Sequence, residues 1–219
     1  MENSAPKKKI ARTEKEQESL KQEIIDTARE LFASRGSNGF STRALAKRLN
    51  MSQGNLYNYF ESKRELWIAI REQDFKKLKK EMEEIVITHQ GEFSVLIKKL
   101  FEYYLDFAYK EKRRFQIMFM IPAPPSKKVG PIEQKYEVID PLDVVRKILQ
   151  KGIDNGDVKK QDVNSLALYI YSLAQGATFV ERDLRITKKI FEPIDQNPAE
   201  DAIQKYRAYL IQKILNQLK

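Results

Sequence analysis

The sequence predicts an all-α fold, with an N-terminal three-helix helix-turn-helix domain and a larger helical domain behind it. Apolar residues recur at spacings of three and four along almost the whole chain, and no strand-like alternation interrupts them. Near the N-terminus, Ser and Thr starts and Gly and Asn stops cut that pattern into short helices. Only 8 Gly and 8 Pro occur in 219 residues, too few for a turn-dense β architecture.

Residues 1–13 read as a disordered basic arm carrying Lys7, Lys8, Lys9 and Arg12. The run PKKKIAR is a weak match to a nuclear import signal, and a solvated tail that adds phosphate contacts is the simpler reading. From Glu14 onward, Leu20, Ile24, Ala28, Leu31 and Phe32 make one face of an amphipathic helix that stops at Arg35-Gly36. Ser41 or Thr42 starts a second helix, with Ala44, Leu45, Ala46 and Leu49 apolar, which ends at Asn50. Ser52 caps a third, expected to reach Phe60. Ser62 and Glu65 form a capping box that opens a long helix to about Ile87. Further helices are expected over Phe93–Tyr109, Lys112–Met120, a stretch ending near Asn155-Gly156, Asp162–Arg182 and Pro198–Leu218. Pro122, Pro124 and Pro125 open a loop running to about Pro131.

Charge is unevenly placed. Residues 1–80 hold 18 Lys and Arg against 11 Asp and Glu, whereas the rest hold 22 against 20. A basic end on a near-neutral body fits a module that binds a polyanion. There is no Cys, which excludes disulfides, thiolate metal sites and Cys nucleophiles. The charged N-terminus is not a signal peptide, and no stretch of about 18 apolar residues occurs, so a cytoplasmic location is expected. The one His, His89, sits in a loop-like Thr-His-Gln-Gly stretch, and no phosphate-binding, zinc-protease or nucleophile-elbow motif is found. Neither catalysis, a metal nor a cofactor is expected.

The second and third helices are joined by Asn50-Met51-Ser52, a turn that needs one residue at positive φ, and Asn50 stands there. Leu45, Leu49, Leu56 and Phe60 can form the small core, leaving Gln53, Asn55, Tyr57 and Asn58 outward on the third helix. Asn and Gln can pair with the N6/N7 edge of adenine. Gly54 permits close approach to DNA, and Tyr57, Thr42 and the helix start at Lys63 can bind phosphate. Arg43, Lys47, Arg48, Lys63 and Arg64 surround this surface, with Glu61 the one acid between residues 41 and 64.

The segment IIDTARELFASRGSNGFSTRALAKRLNMSQGNLYNYFESKRELWIAI resembles the DNA-binding domain of the tetracycline-repressor (TetR) family. The likeness lies in Ala28, Leu31-Phe32 and Gly36; in Thr42 with Leu45-Ala46; and in Leu56-Tyr57, Tyr59-Phe60, Ser62-Lys63 and Leu66. Asn50 replaces the usual turn Gly. The resemblance implies DNA contacts at Thr42, Arg43, Gln53, Gly54, Asn55, Tyr57, Asn58 and Lys63, the position of Asn58 being variable in the family. It fades beyond about residue 75. It also implies a homodimer, and a divergent C-terminal domain that binds a small effector.

Residues 14–62 are thus expected to form the DNA-binding domain, 63–80 a connecting helix, and 81–219 an effector-binding and dimerisation domain. Both late helices carry two apolar stripes, which need covering on two sides. Ala167, Tyr171, Ala174 and Thr178, with Ala208, Ile211 and Leu215, are the candidates for a four-helix dimer interface. Tyr103, Tyr104, Phe107, Phe115, Met118, Phe119, Tyr136 and Tyr171 are the candidate lining of an effector pocket, apolar enough to suit a hydrophobic ligand. The expected function is that of a sequence-specific transcriptional regulator, a repressor released from a palindromic operator in double-stranded DNA by a small hydrophobic effector.

Overall fold

The computed structural model describes residues 13–186 and 199–219, and every regular element among them is helical. The basic arm lies, apart from Thr13, outside the described residues. In chain order the helices are α1 (Glu14–Gly39), α2 (Thr42–Arg48), α3 (Gln53–Tyr57), α4 (Lys63–Thr88), α5 (Phe93–Lys110), α6 (Lys112–Phe115), α7 (Pro131–Gln134), α8 (Asp143–Asn155), α9 (Val163–Ile186) and α10 (Ala199–Leu218). α6 runs on into one wide π turn, Gln116–Met120.

Local chemistry accounts for the starts of the first four. Thr13 Oγ1 accepts the Glu16 N–H at 3.3 Å while the Glu16 carboxylate accepts the Thr13 N–H at 2.8 Å, a complete capping box. Ser41 Oγ accepts from Ala44 N at 3.3 Å, Ser52 Oγ from Asn55 N at 3.1 Å and Ser62 Oγ from Glu65 N at 3.0 Å. The expected stop at Gly36 is a kink instead: Gly36 takes φ 67°, and one further turn follows to Gly39. α3 is shorter than expected and ends at Tyr57, leaving Phe60 as a core anchor beyond it.

The chain folds as two compact units, and they differ from the linear division expected from sequence. The first comprises the described part of Met1–Arg71 together with Met120–Tyr136; the second comprises that of Glu72–Phe119 with Glu137–Lys219. α4 therefore contributes its first turns to one unit and its remainder to the other.

In the first unit Ile24, Ala28 and Phe32 of α1 meet Leu45, Leu56, Phe60, Leu66 and Ile70, all nearly inaccessible to water. The Phe32 and Phe40 rings stack at 3.8 Å. The segment 120–136 is a strap bound to this core by polar clasps. Ser37 Oγ donates to Pro122 O, Arg64 pairs with Glu133, and Arg71 donates to Tyr136 Oη at 2.8 Å. The central clasp is Glu65, only 1% exposed, whose carboxylate accepts Ile132 N–H at 2.8 Å and Glu61 N–H at 2.6 Å. The Ser62–Glu65 capping box is thus half formed, since the Glu65 carboxylate serves the strap and Glu61 rather than Ser62. Gly130 lies so close that a Cβ there would meet the Glu65 oxygens at 2.2 Å.

In the second unit α9 packs against α5, α8 and α10. Its core includes Leu78, Leu100, Leu105, Leu149, Leu166 and Ile214. Two buried ion clusters sit in it. Asp74, fully buried on α4, accepts from Arg114 Nε at 3.0 Å. Arg207 of α10, 5% exposed, donates twice to Glu181 of α9 at 2.7 Å and once to Asp106 of α5 at 2.7 Å. Burial works against the Arg207 charge, yet hydrogen bonds to Glu181 and Asp106 hold its pKa above the ordinary value. Burial likewise works against the Asp106 charge, and hydrogen bonds from Lys110 and Arg207 hold its carboxyl below the usual range.

Removing Arg207 strands Glu181, which is 2% exposed and keeps only Arg185 at 3.1 Å. Arg207→Met should destabilise the chain by about 3 kcal/mol, and adding Glu181→Met should recover most of that loss, as read from urea midpoints. Because the Asp106 pKa is lowered on folding, its contribution holds above the ordinary value and disappears as pH falls through the folded one. Arg207→Met should therefore also flatten the acid side of the stability profile. Equal stability of the single and double variants would overturn the assignment.

Candidate nucleic-acid interface

α2 and α3 are held in a helix-turn-helix by one backbone conformation. Asn50 has φ 50°, the one positive φ at a non-glycine position among the described residues. Met51 N–H reaches Ala46 O at 2.9 Å and Asn50 N–H reaches Lys47 O at 3.2 Å. This pair of bonds closes α2 with Asn50 in the left-handed position where Gly is usual. The chain then enters α3 at Ser52, with Leu45 and Leu56 buried between the helices.

The outer edge is polar and partly organised in advance. Gln53 Nε2 donates to Thr42 Oγ1 at 3.2 Å, and Thr42 Oγ1 lies 3.4 Å from Tyr57 Oη. Thr42 is itself buried, so its hydroxyl orients its two partners rather than projecting outward. Arg43, Gln53, Gly54, Tyr57 and Asn58 are exposed and Asn55 is half-buried. Lys63 is tied back, its ammonium donating to Phe40 O at 3.0 Å. Of the surrounding cations, Arg48 pairs with Glu30 at 2.6 Å and Arg64 with Glu133. Arg43 and Lys47 have no ion pair among the described residues.

Gly54 has open space where a Cβ would project: the nearest atom is Ser52 Oγ at 4.0 Å, and φ is not positive. Nothing in the chain's own packing requires glycine there.

The second unit holds an apolar cavity of about 70 Å³, walled by Met82, Tyr104, Phe119, Ile148, Ile170 and Tyr171 among others. Of the candidate pocket residues, Tyr104, Phe119 and Tyr171 lie on it. Phe107, Phe115 and Met118 are packed into the surrounding core instead. Tyr103 turns to Glu81, which its hydroxyl meets at 2.6 Å. Tyr136 belongs to the first unit, on the strap. Leu78 and Met82 also line the cavity and are not among the sequence candidates: Leu78 falls in the expected connecting segment, and Met82 is a single aliphatic residue on a highly charged stretch of α4. The Tyr104 hydroxyl lies beside Tyr171 and Gln175 without completing a hydrogen bond of good geometry, and its burial pushes its pKa up.

The candidate dimer stripe needs correction. Ala167, Ala174 and Ile211 are buried in the chain's own core, and Tyr171, Thr178 and Leu215 are partly buried; only Ala208 is exposed. The large apolar residues turned outward are Leu168 (56% exposed), Tyr169, Phe179 and Ile186 on α9, and Tyr209 (59%) on α10. On α9 both stripes turn partly inward, Leu166, Ile170 and Ala177 being buried as well as Ala167 and Ala174, so the chain's own core covers both.

Comparison with known proteins agrees with this geometry. A profile of bacterial regulatory proteins of the tetR family matches residues 24–70, from α1 into α4. Over those residues, and over those alone, the chain is similar to the tetR family. It is 28% identical over 101 residues to IcaR of Staphylococcus aureus, a negative transcriptional regulator of a biofilm operon, covering 46% of this chain and 52% of IcaR. The chain thus spans about half the length of that relative. It is 27% identical over 178 residues to the transcriptional regulator QacR of Staphylococcus aureus, covering 78% of this chain and 90% of QacR. The fold matches that of FadR from Bacillus subtilis, solved with stearoyl-CoA, at a TM-score of 0.64 and 15% identity over 90% of this chain and 99% of that one.

The open space at Gly54 makes it a discriminating position. Gly54→Ala should leave the melting temperature unchanged or slightly raised, by up to about 1 kcal/mol of helix propensity, while weakening binding to duplex DNA. A variant that binds DNA as wild type does would show that no backbone approaches a groove there.

Proposed function

We propose that this chain is a TetR-type, sequence-specific DNA-binding transcriptional regulator, a dimeric repressor released from a palindromic operator by a small hydrophobic effector. The observation that carries the reading is the edge of α2 and α3: Gln53 held by Thr42, with Tyr57 beside it, on a helix kept free of a side chain at Gly54. In this reading Gln53, Asn55 and Asn58 read base edges. Arg43, Tyr57 and the α4 start at Lys63 contact the DNA backbone, while buried Thr42 orients Gln53 and Tyr57 from behind. IcaR, a negative regulator, favours repression.

Dimerisation is assigned to the outward face of α9 and α10, through Leu168, Tyr169, Phe179 and Tyr209, where exposed aromatic and aliphatic surface is concentrated. A two-fold pair presents two α3 helices to half-sites one turn apart, about 34–36 Å.

The cavity supplies the effector site. Pockets that hold drug-sized ligands measure about 300–1,000 Å³, so a ligand must spread walls that now enclose about 70 Å³. Met82 and Leu78 of α4 are among those walls, and α4 begins at Lys63. Spreading the cavity thus acts on the helix whose first turn belongs to the DNA-binding unit. FadR, solved with stearoyl-CoA, supports a long apolar ligand class. No helix among the described residues is long and apolar enough to cross a membrane, consistent with work in the cytoplasm.

Selection of random duplex DNA on the purified chain should enrich an inverted repeat. Gln53→Ala or Asn55→Ala should then lose roughly 1–3 kcal/mol at particular base pairs and little elsewhere. A pool with no consensus, bound with salt dependence alone, would replace the regulator with a nonspecific DNA binder.

Medium-chain fatty acids, as apolar probes, should raise the melting temperature, reaching about 2.7 kcal/mol of stabilisation at a hundredfold excess over Kd. Ala174→Leu, which adds three carbons to the cavity wall, should abolish that rise without altering operator binding in the absence of probe. Stabilisation by polar ionic metabolites alone would count against the apolar pocket.

A further inference from the structure

The strap places a second cationic element beside the expected DNA contacts. Tyr57 of α3, Lys63 of α4, Ser37 and Asn38 after the α1 kink, and Ser126 and Lys128 of the strap line one open polar groove in the first unit. The strap residues there are fixed. Ser126 Oγ donates to Lys128 O at 2.8 Å and accepts Lys128 N–H at 3.0 Å, a tight turn that sets the Lys128 backbone. On one side the Ser37–Pro122 hydrogen bond anchors the strap, and on the other the Glu65 carboxylate binds Ile132 and leaves room only for glycine at 130. Lys127 and Lys128 are exposed, and neither has an ion pair among the described residues. One acid, Glu61, shares the groove lining, and Lys63 is already engaged by Phe40 O. An unpaired ammonium at the rim of a groove that Tyr57 also lines, with the exposed Lys127 next to it in sequence, is suited to a backbone phosphate and carries no base information.

We propose that Lys128, with Lys127 beside it, contacts DNA backbone phosphate from outside the helix-turn-helix, extending the interface by the 120–136 strap. This rests on the DNA-binding reading above. The strap then adds affinity uniformly over sequences, while α3 supplies discrimination.

The test uses the full chain and the duplex that wild type enriches from random DNA. Binding is measured from about 50 to 200 mM salt for wild type, Lys127→Gln/Lys128→Gln, Lys128→Glu and Gln53→Ala. Each phosphate contact contributes about 0.9 to the slope of log K against log salt. The double Gln variant should lower the slope by about 2–4 for the two protomers together and weaken binding with base preference unchanged, and Lys128→Glu should weaken it further. Equal thermal melts would show that the exposed substitutions leave the fold intact. If both strap variants keep wild-type slope and affinity while Gln53→Ala loses base preference, the strap contact is wrong and the recognition face stands. If wild type enriches no duplex at all, the DNA-binding reading fails and takes the strap proposal with it.

Discussion

The buried carboxylate of Glu65 is the constraint on which the first unit turns. A carboxylate removed from water is tolerated only when donors replace the water, and Glu65 obtains two backbone amides, one from Glu61 just before α4 and one from Ile132 on the strap. Its position in the first turn of α4 is also favourable, since the partial positive charge of a helix start stabilises an anion. One side chain thereby fixes three things: the loop leaving α3, the origin of α4 and the path of residues 130–132. Nothing larger than glycine fits at 130 without displacing the carboxylate. The α3 edge is held from behind by this clasp and from within by the Asn50 turn. Its geometry thus depends little on the flexibility of any surface side chain.

The second unit has a different economy. It combines a tight apolar core with ions that are buried but paired, Asp74 with Arg114 and Arg207 with Glu181 and Asp106. Such pairs contribute little net stability beside an apolar substitute, but they penalise any packing that separates the partners. The Arg207 cluster joins α5, α9 and α10, and so fixes which faces of α9 and α10 turn inward. The outward face is thereby determined as well, and it carries Leu168, Phe179 and Tyr209. A specificity device inside the subunit thus defines the surface proposed for pairing between subunits.

Legibility in the sequence followed the range of the interactions. The starts of α2, α3 and α4 are encoded by Ser caps within three residues of their targets, and the turn by one Asn at the position that demands positive φ. All of these are local and readable; the Thr13 cap of α1 is equally local but is not among the sequence expectations. The strap was not readable, because Ser37 to Pro122 and Glu65 to Ile132 join residues 85 and 67 positions apart. A proline-rich loop gives no periodic signal of where it packs. Stripes on α9 were visible, but periodicity cannot say which stripe faces the chain's own core, so Ala167 and Ala174 were assigned outward although they turn inward. Aromatic residues at helical spacing were equally ambiguous: Tyr104, Phe119 and Tyr171 reach the cavity, while Phe107 and Phe115 fill the core beside it.

Preorganisation links these pieces to the proposed function. A recognition side chain that must be ordered on binding costs about 0.5–1.5 kcal/mol of entropy. Gln53 is already held by Thr42, which is buried and cannot move independently of α2. In the proposed reading, the discriminating contact is therefore as rigid as the α2–α3 pair that carries it. Coupling through a rigid body is reciprocal: an effector that disfavours the bound spacing must be disfavoured by DNA to the same extent. The small volume of the cavity fits this linkage. A ligand that must open its own site binds the resting state poorly, and the difference in affinity between the two states is what shifts the population.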